Sequence, residues 1–166
     1  MRECVLTATI AAVLFVAPAL ATDKDQVEWL FTHTADAIEV KDDGTLIFPA
    51  EREIFAFTDR PNRDYRYLNA HEFGELWSGG EDSFKNDPPN AVLTWVADGQ
   101  VGEVEVQVLD AAAADYGRAV RYEVRPESGA SIPDGASRVS LFVDGYWSPS
   151  SGKNPPGGIL VPMPLE

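Results

Sequence analysis

Between residues 26 and 33 apolar and polar positions alternate, with Val27, Trp29, Phe31 and His33 on one face and Glu28, Leu30 and Thr32 on the other. A period of two is that of a strand with one side against a core. Two further runs, 37 to 41 and 45 to 48, flank Asp42-Asp43-Gly44, and this arrangement predicts a hairpin. In the run 53 to 58 the apolar residues Ile54, Phe55 and Phe57 occupy both faces, the pattern of a strand buried on both sides.

The second half reads as a meander. Strands are expected over 91 to 97, 103 to 109, 118 to 125 and 137 to 143, separated by turn formers such as Asp98-Gly99 and Pro133-Asp134-Gly135. Val104, Val106 and Val108 alternate with Glu103, Glu105 and Gln107; Val120, Tyr122 and Val124 alternate with Arg121, Glu123 and Arg125. If these two strands are antiparallel neighbours, Glu103 and Glu105 meet Arg121 and Arg125 across the solvent face.

Helix signals occur once. Asn69 is placed to cap, Glu72 stands three residues on as in a capping box, and Phe73, Leu76 and Trp77 form an apolar face before Gly79-Gly80. A helix of two to three turns is expected there. From Tyr146 onward five prolines and three glycines predict an irregular tail, 146 to 166, packed on the domain through residues 159 to 161. The elements together predict a mostly β fold, an antiparallel β-sandwich of seven to eight strands with one short α-helix, over residues 22 to 145.

The first 21 residues belong to a different class of segment. Arg2 precedes an apolar run of about 16 residues, short of the roughly 20 that span a bilayer, and Ala19-Leu20-Ala21 fits the small-residue cleavage pattern of an export signal. The expected destination is secreted or periplasmic. Cleavage removes Cys4, the only cysteine, so disulfides, thiol chemistry and a lipid anchor at the cleavage site drop out together. About 145 residues remain, enough for one core.

The formal charge is −14, from 13 basic and 27 acidic residues. Acidity of this size disfavours nucleic acid and anionic membrane surfaces as partners, and no membrane insertion is expected after cleavage. Asp42-Asp43-Gly44 lacks the alternating ligands and distal glutamate of a calcium loop. His33 and His71 share no metal-ligand spacing, so neither a metal nor a cofactor is implied.

Residues 55 to 93 gather the unusual chemistry. Phe55-Ala56-Phe57-Thr58-Asp59-Arg60-Pro61 is followed by Phe73 and Trp77, then by Phe84 and Asp87-Pro88-Pro89-Asn90-Ala91-Val92-Leu93. The pattern resembles a family of small secreted bacterial proteins with no known activity. It extends weakly to Ser140-Leu141-Phe142-Val143-Asp144, about two-thirds of the mature chain. The resemblance implies export and a shared fold and supplies no catalytic residue.

Read from the residues, Asp59 and Pro61 suit a turn, and Asp87-Pro88-Pro89-Asn90 makes a stiff entry into a strand. The catalytic alternative is a hydrolytic enzyme in which Asp59, His71 and Asp87 meet in an acidic site, with Arg60 holding an anionic substrate. No serine or cysteine nucleophile motif accompanies them. Trp29, Trp77 and Trp95 lie in periodic segments and are expected in the core. Tyr65-Arg66-Tyr67 and Tyr146-Trp147 are expected in or beside loops, where exposed rings suit a carbohydrate or peptide ligand. The resulting expectation is an exported, non-enzymatic binding or envelope-associated module, with Tyr65, Tyr67, Arg60, Tyr146 and Trp147 as candidate ligand residues.

Overall fold

The computed structural model describes residues 27–41, 44–78, 83–127, 129 and 131–147, without the side chains of residues 27, 146 and 147. The segment 1 to 21 that reads as an export signal, Asp42-Asp43, Gly79-Gly80 and the tail beyond residue 147 lie outside the described residues.

Among the described residues the fold is mostly β, with β1 Val27–Ala37, β2 Glu39–Val40, β3 Thr45–Pro49, β4 Ile54–Thr58, β5 Tyr65–Leu68, α1 Ala70–Gly74, β6 Asn90–Ala97, β7 Gln100–Ala114, β8 Ala119–Pro126 and β9 Ser137–Trp147. All strands join one sheet in the order β2-β3-β8-β7-β6-β9-β1-β4-β5, and every ladder is antiparallel. Each strand read from the sequence is present. The ninth, β5, holds Tyr65-Arg66-Tyr67, expected in or beside a loop. β9 also runs on through Trp147, so Tyr146 and Trp147 begin no tail; their backbone pairs with Glu28 and Val27.

Sandwich packing arises from one sheet folding over on itself. The 15-residue β7 pairs through its first half with β6 and through its second half with β8. Its register with β8 shifts between Val108 and Asp110, a bulge that bends the strand where it passes from one layer to the other. The opposed layers meet in an aromatic core. Phe48 of β3 lies edge-on to Tyr122 of β8, at 5.2 Å between centroids, and tilted against His33 of β1 at 5.0 Å. Phe73 of α1 reaches both Phe31, at 5.6 Å, and Tyr122, at 6.0 Å.

β7 also corrects the expected charge ladder. It is the antiparallel neighbour of β8, but it extends through Ala111–Ala114, which moves the register. Arg125 therefore stands opposite Gln107 and bonds its side-chain oxygen, while Arg121 pairs with Asp110 and Glu123. Glu103 and Glu105 face Thr94 and Val92 of β6 instead.

The alanine run has a packing reason. An added Cβ on Gly74 of α1 would lie 3.3 Å from Ala112 Cα, so the helix sits directly on the strand backbone and only small side chains fit beneath it. The helix starts as its sequence dictates: Asn69 Oδ1 accepts from the amides of His71 and Glu72, each at 3.0 Å, and Asn69 N–H donates to Glu72 Oε2 at 2.9 Å. It is shorter than expected, five α residues followed by a 3-10 turn at Glu75–Trp77. Buried Trp77 closes that turn onto β7, donating Nε1–H to the Val108 carbonyl at 3.3 Å. No helix among the described residues is long and apolar enough to cross a membrane.

Candidate binding face

The β4–β5 hairpin ends the sheet and presents its rings outward. Its turn is closed by Thr58 and Asp64, which exchange backbone and side-chain bonds: Thr58 N–H donates to the Asp64 carbonyl at 2.9 Å, and Asp64 N–H to Thr58 Oγ1 at 2.8 Å. Within the turn Asp59 Oδ1 accepts from Arg60 N–H at 2.6 Å, and the Asp59 carbonyl accepts from Asn62 and Arg63. Thr58-Asp59-Arg60-Pro61 thus acts as turn chemistry.

Tyr65 and Tyr67 leave β5 on the same side as Phe55 and Phe57 leave β4, because Phe55 faces Tyr67 and Phe57 faces Tyr65 in the ladder. Phe55 and Phe57 stack at 5.4 Å, and Tyr67 tilts against Phe55 at 5.2 Å. Arg66, between the tyrosines, points inward and sets its guanidinium 5.6 Å from the Trp29 ring centroid, a cation–π contact that anchors the edge strand. The expectation that β4 is covered on both faces is corrected: Ile54, Ala56 and Thr58 are buried, whereas Phe55 and Phe57 are only half-buried on the outer side.

Those outward rings begin a band that crosses five strands. Phe55 stands opposite Thr32 of β1, Thr32 opposite Phe142 of β9, and Phe142 opposite Val92 of β6. Opposed residues on one face of a sheet have Cβ atoms about 5 Å apart, so the row Tyr67, Phe55, Thr32, Phe142, Val92 is continuous. A parallel row runs through Tyr65, Phe57 and Leu30 to Asp144. Tyr67 is 53% exposed, Phe142 47% and Val92 37%. Single exposed apolar residues are ordinary, but a band of rings and aliphatic side chains on one sheet face is the form of an interaction surface.

At its β6–β9 end the band falls into a cleft of about 410 Å³. Its lining joins the apolar Leu30, Val92 and Phe142 to the carboxylates of Glu105, Glu127 and Asp144. Glu28, beside the cleft on β1, has its carboxyl pKa raised, first by a hydrogen bond with Asp144 and the charge of that carboxylate, then by desolvation and by Asp59. Like charges crowd this edge.

No protein-family model, curated protein or solved structure matches the chain. The face is therefore read from its own chemistry.

The other sequence-selected residues are distributed as follows. Arg60 is exposed in the hairpin turn, and Tyr65 and Tyr67 stand on the band. The side chains of Tyr146 and Trp147 lie outside the described residues. Asp59 and His71 occupy opposite ends of the β4–β5 hairpin, Asp59 at its turn and His71 past Leu68 in the first turn of α1, so the structure does not gather them. The His71 ring lies over Gly117 in the β7–β8 turn, where an added Cβ would come within 2.8 Å of Nε2. Asp87 is exposed before β6, and the prolines that follow it hold the strand entry: the Pro88 carbonyl accepts from Gln107 Nε2 at 3.3 Å, and the Pro89 carbonyl from Val108 N–H at 2.9 Å. Among the described residues no group of three or more His, Cys, Asp or Glu side chains is placed to hold a metal ion. A second cleft of about 320 Å³, further along the β1–β9 ladder at Thr34 and Ser140, mixes Asp36 and Glu51 with Arg52 and Arg138 and includes none of the large exposed apolar side chains.

Phe55, Phe57, Leu30, Val92 and Phe142 were not selected from the sequence. Their signal was present as broken alternation: Ile54-Phe55-Ala56-Phe57, Ala91-Val92-Leu93 and Leu141-Phe142-Val143 all carry apolar side chains to both faces. Recognising a site in them required knowing that β4, β1, β9 and β6 are neighbours.

Proposed function

We propose that this chain is an exported, non-enzymatic binding module and that its binding face is the outer surface of β5, β4, β1, β9 and β6. The apolar segment ending in Ala19-Leu20-Ala21 supports a secreted or periplasmic destination. The observation that carries the binding assignment is the outward row Tyr67, Phe55, Thr32, Phe142 and Val92 on strands whose opposite face already fills the core. An apolar surface exposed on a strongly acidic domain gives a ligand flat area to cover.

The test is capture. Mature protein immobilised and exposed to envelope extract is expected to retain a defined component, and the Tyr67→Ser/Phe142→Ser double variant, with unchanged thermal unfolding, is expected to lose it. Equal retention by both proteins rejects the face.

A further inference from the structure

The cleft at the β6–β9 end of the band narrows what the face can bind. Among the described residues its lining joins Leu30, Val92 and Phe142 to the carboxylates of Glu105, Glu127 and Asp144 and holds no basic residue. None of these three carboxylates is ion-paired among the described residues. Arg125, the nearest arginine along β8 and two residues before Glu127, is turned to Gln107.

We infer, resting on the binding reading above, that this cleft receives the basic side chain of a peptide or protein ligand. The aliphatic stem of a lysine or arginine lies along Phe142 and Val92, and its charged head meets the carboxylates. Long basic side chains are suited to such a site because they pair an apolar stem with a cationic end. A cation also relieves the repulsion between the Glu28 and Asp144 carboxyls on the neighbouring strands β1 and β9. The neighbouring rings of Phe55, Tyr65 and Tyr67 then cover the apolar residues that flank the basic one. A second copy of this chain fits poorly, since two faces with acidic clefts on a molecule of charge −14 would meet like charge to like.

Calorimetric titration with two synthetic peptides tests the inference: acetyl-Gly-Leu-Lys-Leu-Lys-Leu-Gly-amide, and the same peptide with glutamine in place of lysine. The lysine peptide is expected to bind the mature chain, ~tenfold more weakly when salt is raised from about 0.05 to about 0.5 M. The exposed pair Glu105→Gln/Glu127→Gln is expected to weaken it by a similar factor while leaving thermal unfolding unchanged. Equal binding of both peptides, lost in Phe142→Ser, overturns the cationic specificity and leaves the binding face standing. Binding of an uncharged oligosaccharide that depends on Phe142, with no binding of the lysine peptide, overturns the inference in favour of a glycan. If neither probe binds, the inference also falls, and the fate of the face is decided by the envelope capture alone.

Discussion

His33 Nδ1 lies 2.7 Å from the hydroxyl of Tyr122, a bond between β1 and β8 across the interior of a sheet in which β7, β6 and β9 separate them. The proton positions follow from the other ring nitrogen. His33 Nε2 faces the Pro49 carbonyl at 3.2 Å, and a carbonyl only accepts, so Nε2 carries the hydrogen and Nδ1 receives the tyrosine hydroxyl. A neutral imidazole is therefore built into the seam where the two layers meet.

This gives stability a pH dependence. Burial lowers the His33 pKa from 6.5 to about 4, with the Pro49 carbonyl acting in the opposite direction. Between those values the unfolded chain takes up a proton that the folded chain does not. His33 thus costs nothing above pH 6.5, and stability is lost progressively from there down to pH 4. The full loss is about 3 kcal/mol. Urea unfolding of the mature protein at a series of pH values is expected to show that slope, and His33→Gln is expected to flatten it. An equal slope in both proteins would place the titration elsewhere.

Tyr122→Phe removes the donor and leaves a buried acceptor. The expected destabilisation is about 1 to 3 kcal/mol, the cost of a buried polar atom left without its partner. Tyr122 is fully enclosed, so no water replaces the hydroxyl without rearrangement of the aromatic core. A variant as stable as the wild type would show that the bond contributes nothing net.

Gly44 closes the β2–β3 hairpin at φ +81°, and an added Cβ would fall 2.7 Å from the Val124 carbonyl. That carbonyl belongs to β8, so the obstacle is backbone and cannot swing aside. Gly44→Ala is expected to cost about 2 kcal/mol from the left-handed backbone and the clash together. At the helix start, Asn69→Ala removes the cap and is expected to cost about 1 kcal/mol. Chemical denaturation separates the two, since the substitutions are far apart and their effects should add.

Much of the fold was legible because it obeys local rules. Trp29, Phe31 and His33 announced their buried face by alternation, and Asn69 with Glu72 fixed the helix start through hydrogen bonds within four residues. β5 was hidden because Tyr65-Arg66-Tyr67 alternates in the reverse sense, with rings outward and the charge inward, and only the Trp29 ring beneath Arg66 explains it. The β7–β8 register was hidden for a related reason: Ala111 to Ala114 favours helix by propensity, and the strand is selected by α1 packing on its backbone. Tyr65 and Tyr67 could be picked out as candidate ligand rings from the sequence, Tyr67 being exposed and Tyr65 half-buried, whereas Phe142 and Val92 join them only through a strand order that no local pattern encodes.

Substitutions on the outer band should separate function from stability. Phe142→Ser and Tyr67→Ser each remove a side chain that is about half exposed, and each is expected to change unfolding free energy by about 1 kcal/mol or less. A loss of several kcal/mol in the isolated protein would mean that the band is structural cover.

The most direct test of the binding face maps the ligand onto it. Amide chemical shifts of isotope-labelled mature protein, recorded while the component retained from envelope extract is added, are expected to move at Thr32, Phe55, Tyr67, Val92 and Phe142. Little movement is expected at Arg52 and Arg138 in the second cleft. Shifts concentrated around Arg52 and Arg138, with the residues from Tyr67 to Val92 unmoved, would contradict the assignment of the outer band as the binding face.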